Sequence, residues 1–299
     1  MRNKKEMMNL IVGYAKKDSR VLAAYLKGSR TNPLVPKDIY RDYDVMYVVK
    51  ETQSFMMDTA WMETFGKVIL KQEQDCDFGY GDQFGLRNHF EQLYSWLLLF
   101  EDGNRIDIGV ETVSHMQQSC QNNKLFLPLL DKTGCLPQLP SPSDEDFYVK
   151  QPSEQQFLGC CNTFFWNLCD VIKGIAREEI PFAMTTYMAL SHNMLEQMLN
   201  WYIGCHTSFS VSCGKRNKYF RKYLSERMYL QFLQTYTDGH VQNMWKAIEN
   251  CCILFHDAAV FVANNLGYQY PQNDENGFFH YKNIIKSSIK HNKETGRIR

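Results

Sequence analysis

Apolar positions in the first part of the chain follow two rhythms. Met7, Leu10, Ile11 and Tyr14 recur at helical spacing, whereas Val21–Lys27, 45–49, Leu93–Phe100 and 105–113 are β-branched or alternating runs bounded by Gly, Asp and Asn. Together they predict one sheet with helices packed on it. Both rhythms stop at 136–146, LPQLPSPSDED, where prolines, serines and an acidic triplet interrupt any periodicity. Beyond it the pattern is helical. Phe164, Phe165, Leu168, Val171, Ile172 and Ile175 form one stripe, Tyr187, Leu190, Met194, Leu195, Met198, Trp201 and Tyr202 a second, and Met244, Ile248, Cys252, Phe255 and Ala259 a third. Such stripes are expected to be core. The pattern therefore predicts an α+β protein: a mixed sheet flanked by helices over residues 1–140, then a helical bundle over 141–299.

Composition agrees with a folded two-domain chain. At 299 residues, 44% apolar and 14% aromatic, the chain has enough apolar material for large cores. Its 33 basic and 33 acidic residues cancel, and neither half carries a basic excess, which argues against a protein that grips nucleic acid through its phosphates. No apolar run approaches the roughly 20 residues of a bilayer span, and the N-terminus lacks the apolar stretch of a signal peptide. A cytoplasmic protein with no membrane partner is expected, with a monomer favoured. The ten cysteines are scattered, without C-x-x-C spacing, and are expected to be reduced, mostly buried small apolar residues.

Chemistry concentrates in three places. In AYLKGSR, an apolar strand runs into Gly28-Ser29, a turn able to point backbone N–H groups and a hydroxyl at a polyphosphate. An ordinary turn reads the same way. In DYDVMYVV, Asp42 and Asp44 share a strand face, with Cα atoms roughly 6–7 Å apart. A divalent cation such as Mg²⁺ would relieve their repulsion, although a solvated strand end would also tolerate it. In NRIDIGV, Asp107 interrupts an apolar strand. Should that strand lie beside the first aspartate pair, three carboxylates would converge, two holding metal and the third able to take a proton.

These segments, GSRTNP at 28–33, RDYDVMYVV at 41–49 and DGNRIDI at 102–108, together with WYIGCHTSFSVSCGKRNKYFRKYL at 201–224, resemble the aminoglycoside 6-adenylyltransferases of the nucleotidyltransferase superfamily. The likeness runs from about residue 2 to about residue 285, over both domains. It implies an N-terminal nucleotidyltransferase domain and a helical substrate-binding domain that closes over the site. The implied activity is transfer of AMP from Mg-ATP to a hydroxyl of streptomycin, with release of pyrophosphate and resistance to the antibiotic. On this chain it implies that Gly28, Ser29 and Arg30 contact the triphosphate, that Asp42, Asp44 and Asp107 hold Mg²⁺, and that Asp107 is the general base. The chain departs from the family at Arg216-Asn217, where a small residue and glycine are more usual.

The remaining demands are electrostatic. Pyrophosphate as leaving group needs cations, and Lys215 and Lys218 stand out within the basic run Lys215, Arg216, Lys218, Arg221, Lys222 and Arg227. A polycationic acceptor needs acids and aromatics, for which Asp75, Asp77, Asp82, Glu101, Asp102, 144–146, Glu178, Glu179, Glu196 and Trp201 are candidates. Glu196, one turn after His192, also competes with Asp107 as base; a plain surface pair is the alternative. The C-terminal KSSIKHNKETGRIR is expected to fray. Adenylyl transfer to another acceptor, a catalytically silent nucleotide sensor of the same fold, and nucleic-acid-directed transfer are the other readings.

Overall fold

The computed structural model describes residues 1–73, 90–121, 123–138 and 140–294. The chain forms two compact units, Met1–Asp146 and Phe147–Arg299. Asp75, Asp77 and Asp82 lie outside the described residues.

The first unit opens with α1 (Lys4–Lys17), started by a reciprocal capping box in which Asn3 and Glu6 bond each other's backbone N–H groups. Strands β1 (Val21–Lys27) and β2 (Tyr43–Val49) precede the short helix α2 (Gln53–Met57). They are followed by β3 (Val68–Glu73), β4 (Leu93–Phe100), β5 (Arg105–Thr112), helix α3 (Val113–Gln121) and β6 (Phe126–Asp131). The six strands form one sheet in the order β3-β4-β5-β2-β1-β6. Only β2 and β5 run parallel; every other neighbouring pair is antiparallel. Alternation divides the two faces. Tyr43, Val45, Tyr47 and Val49 join Ile106, Ile108 and Val110 in a large core under α1, with Trp61 and Phe65. The other face carries a smaller cluster of Ala23, Tyr25, Met46, Val48 and Phe126, covered by Met116 and Cys120 of α3. Asp44 and Asp107 emerge on this second face.

The second unit is helical: α4 (Glu154–Ala176), α5 (Ile180–Thr186), α6 (His192–His206), α7 (Phe220–Tyr223), α8 (Glu226–Leu233), α9 (Val241–Leu266) and α10 (Gln272–Glu294). All three apolar stripes face one core except at Leu190, which is exposed, and within it the rings of Phe164 and Phe255 stack 3.8 Å apart and 3° from parallel. A single π turn, Tyr187–Ser191, joins α5 to α6. Helix α9 is apolar and long enough to cross a bilayer by composition, yet it buries Met244, Ile248, Phe255, Ala259 and Val262 in this core. Among the described residues nine cysteines are free, and most of these are buried. Residues 286–294 of the expected frayed end are helical instead, and 295–299 lie outside the described residues. Helix α10 continues to Glu294, and it is held by the buried Phe278 and by Lys282 and Lys286, which both reach Glu249 of α9.

The stacked pair makes the second core sensitive to truncation. Phe255→Ala is expected to lower the unfolding free energy by about 3–5 kcal/mol. Urea unfolding followed by near-UV circular dichroism measures it, and a cost below about 1 kcal/mol would mean that the stack does not anchor the bundle.

Candidate active site

Parallel pairing of β2 with β5 sets Asp44 directly opposite Asp107. Asp42 stands one residue ahead of β2, where its side chain is 39% exposed. Three carboxylates thus meet at the head of two adjacent strands, and they affect one another. Burial, followed by the charges of Asp107 and Asp42, pushes the Asp44 carboxyl up to about 6. Burial, with Asp107 nearby, also raises that of Asp42.

Arg105 is the local counter-charge. Its Nε and Nη2 donate to the two oxygens of Asp107 at 2.8 and 3.0 Å, while Nε lies 3.7 Å from Asp42. Two residues from Asp107 on the same strand, Arg105 was legible from alternation alone, but the aspartates drew the reading away from it. Arg105 grips Asp107, and no three His, Cys, Asp or Glu side chains among the described residues form a ready metal site. The expected triad of ligands is therefore not assembled as such. The donor set still fits a hard divalent cation. Asp42 and Asp44 are a partly buried carboxylate pair whose affinity for protons is raised by burial first and by neighbouring carboxylates second, and Mg²⁺ commonly takes one or two carboxylates plus phosphate oxygens.

The Gly28–Arg30 turn closes on this pair. Gly28 has φ +70°, and a Cβ there would stand 2.6 Å from Asp44 Oδ2, so only glycine lets the backbone pass the carboxylate. Among the described residues the Ser29 hydroxyl has no partner, while the Ser29 carbonyl accepts from Arg41. Arg30 faces inward instead of toward a ligand. It donates to the carbonyls of Asp42 and Arg41 and lies 3.5 Å over the Tyr43 ring, bracing the turn against the start of β2.

Several expected substrate contacts have structural occupations. Asp102 accepts from Arg2 at 2.7 Å and from Asn104 at 2.7 Å, and the Arg2 guanidinium holds its carboxyl well below the usual range. It ties the N-terminus to the β4–β5 turn. Trp201 is 7% exposed within the helical core. Asp144 accepts from Asn32, Glu145 and Asp146 both bond Lys124, Glu101 pairs with Lys67, and Glu179 lies near Arg177. Glu178 takes a left-handed turn after α4.

Glu196 is likewise engaged. Its Oε2 accepts from Asn217 Nδ2 at 2.7 Å, and Oε1 lies 3.3 Å from His192 Nδ1, whose ring reaches Thr235 at 2.9 Å through Nε2. Asn217 also accepts from Asn200. This clasp holds a contorted loop: Gly214, Arg216 and Asn217 all have positive φ, and asparagine tolerates that region better than most residues. Lys215, Arg216 and Lys218 are exposed on it. Glu196 thus shapes the basic loop.

The chain matches the streptomycin adenylyltransferase family over residues 1–285. It is 33% identical to the aminoglycoside 6-adenylyltransferase of Bacillus subtilis over 97% of this chain and 100% of that protein. To the enzyme of the same name from Campylobacter jejuni it is 33% identical over 92% and 93%. A crystal structure of an aminoglycoside 6-adenyltransferase from Bacillus subtilis aligns over 96% of this chain and 99% of that one, at 29% identity and a TM-score of 0.47. This chain therefore belongs to the streptomycin adenylyltransferase family, a family of nucleotidyltransferase enzymes.

Proposed function

We propose that the protein transfers AMP from ATP to a hydroxyl of an aminoglycoside, with streptomycin as the first acceptor to test, and that this confers resistance to the drug. The observation that carries the reading is the juxtaposition of the Gly28–Ser29 turn with Asp44, itself paired in register with Asp107. A divalent cation on Asp42 and Asp44 would supply neutralisation of the phosphate oxygens when bound. The backbone turn and the Ser29 hydroxyl bind phosphate, and Lys215 and Lys218 are exposed cations of the second unit able to bind a polyanion.

The acceptor oxygen attacks the α-phosphorus, a new P–O bond forms, and the bond to the bridging oxygen breaks to release pyrophosphate. Asp107 receives the hydroxyl proton. For that, one of its oxygens must leave Arg105, whose guanidinium is then free to meet charge developing on the phosphates. No covalent intermediate is required, since one positioned carboxylate suffices for direct transfer.

Turnover is expected only with ATP, Mg²⁺ and an aminoglycoside present together. Asp42→Asn and Asp44→Asn should each cut it about a thousandfold or more, equivalent to roughly 4 kcal/mol of lost transition-state stabilisation, with circular dichroism unchanged. Pyrophosphate release measures it, and either variant retaining a tenth of the activity would defeat the assignment.

The carboxylate cluster also generates a pH dependence in the Mg²⁺-free protein. The Asp44 carboxyl binds its proton more tightly folded than unfolded, so its contribution to stability is fully present below 3.8 and is lost as pH rises through about 6. Asp44→Asn should remove this slope and leave the variant more stable than the wild type at pH 8, by on the order of 2 kcal/mol. Thermal or urea unfolding at pH 4.5 and pH 8 checks this; parallel curves for the two proteins would contradict it.

A further inference from the structure

Beside the carboxylate cluster lies a cavity of about 250 Å³ that the reaction as described does not use. It opens on the second face of the sheet, against α3, and its polar lining is Tyr25, Lys27, Glu111, His115, Ser119 and Asn123. Glu111 sits four residues beyond Asp107 on β5, and therefore on the same face, roughly 13 Å along the strand. Only 1% of it is exposed.

A carboxylate buried this deeply is costly unless it is compensated. The Tyr25 hydroxyl donates to Oε1, and burial together with the Glu111 charge holds that phenol protonated as a donor. His115 Nδ1 stands 2.7 Å from Oε2. Among the described residues no lysine or arginine pairs with Glu111. An ionised carboxylate offers about four lone-pair sites, so two remain for a ligand. The stacked rings of Tyr25 and Phe126, with centroids 4.0 Å apart, supply an apolar wall.

Lys27 connects the cavity to the reaction. It lines the pocket, immediately precedes Gly28-Ser29, and acts on Asp44 by its charge. An occupant is thus held beside the phosphate-binding turn, where an acceptor belongs.

We propose that this pocket is an acceptor subsite that takes a protonated amine or guanidine of the aminoglycoside, with Glu111 as its counter-ion; the inference rests on the functional reading above. Ammonium and guanidinium groups are donor-only cations and supply what the buried carboxylate lacks. A nucleoside is disfavoured because it brings no cation to Glu111.

The test uses the full chain, streptomycin as probe, and two variants. Glu111→Gln keeps the shape and removes the charge. Ser119→Leu fills the pocket while leaving Glu111 and Tyr25 in place, and carries the test if the first variant does not fold. Both are expected to raise the KM and the calorimetric Kd for streptomycin by about tenfold or more, the worth of one charge-assisted hydrogen bond. The kcat and the KM for Mg-ATP should stay within about twofold, a split that a purely structural role would not produce. Folded variants that bind streptomycin like the wild type would overturn the subsite, as would a rise in the KM for Mg-ATP instead, which would make the occupant a nucleoside. If the wild type binds ATP but neither binds nor modifies any of a panel of aminoglycosides, the functional reading fails first and the subsite with it.

Discussion

Like charge is the constraint around which the first unit is organised. The parallel register of β2 and β5 puts Asp44 opposite Asp107, with Asp42 two residues earlier, and Arg105 is the guanidinium in contact with the cluster. Nothing in folding alone favours this arrangement, since burial and mutual repulsion both oppose the charged form of Asp44. The register is nevertheless strongly determined. A shift of either strand by one residue would carry its aspartate, Asp44 or Asp107, into the large core and bring Val45 or Ile108 out onto the second face. The apolar face of the sheet thus enforces an electrostatic cluster on the opposite face, and energy from the core under α1 holds the carboxylates together.

The same constraint explains local features that otherwise look unrelated. Gly28 is required because the backbone passes too close to Asp44 for any Cβ. Arg30 and Arg41 cross-brace the turn to the residues before β2, so the turn backbone is bonded directly to the segment that carries the aspartate pair. Asp102, bonded to Arg2, pins the turn between β4 and β5 from which Arg105 departs. A site on a short turn and two strand heads gains its rigidity from these arginine bonds to carbonyls and carboxylates.

What could be read from the sequence follows from which signals are local. Alternation placed Asp44 and Asp107 on a face, and the helical stripes of Phe164, Trp201 and Phe255 located the second core. The edge strands β3 and β6 escaped the pattern because their environment is half solvent. The sequence VILKQE lacks a buried face, and Pro128 breaks the run in β6, as edge strands allow. Glu111 was hidden for a different reason. It occurs at the end of a strand, where acids usually meet water, and only the fold shows that α3 and Tyr25 enclose it. Glu196 and Asp102 looked available because their partners, Asn217 and Arg2, are 21 and 100 residues away in the chain.

The two kinds of cation divide their work along chemical lines. Arg2, Arg20, Arg30, Arg41 and Arg105 all spend their guanidinium forks on fixed partners inside the first unit, donating to carbonyls or gripping carboxylates. Planar, multidentate donors suit fixed geometry. Lys215 and Lys218 remain exposed, on a loop whose backbone conformation is set by Asn217 and Glu196. A compact, strongly hydrated ammonium on a flexible stem stays in water where no such partner fixes it. The balance of 33 basic against 33 acidic residues therefore conceals a division of positive charge: these arginines of the first unit are committed to structure, whereas Lys215, Arg216 and Lys218 are exposed. Acidic residues divide in the same way. Asp102 and Asp144 are committed to fixed partners, while Asp44 is buried beside two other carboxylates, Asp107 and Asp42, the condition under which an incoming cation gains most from binding.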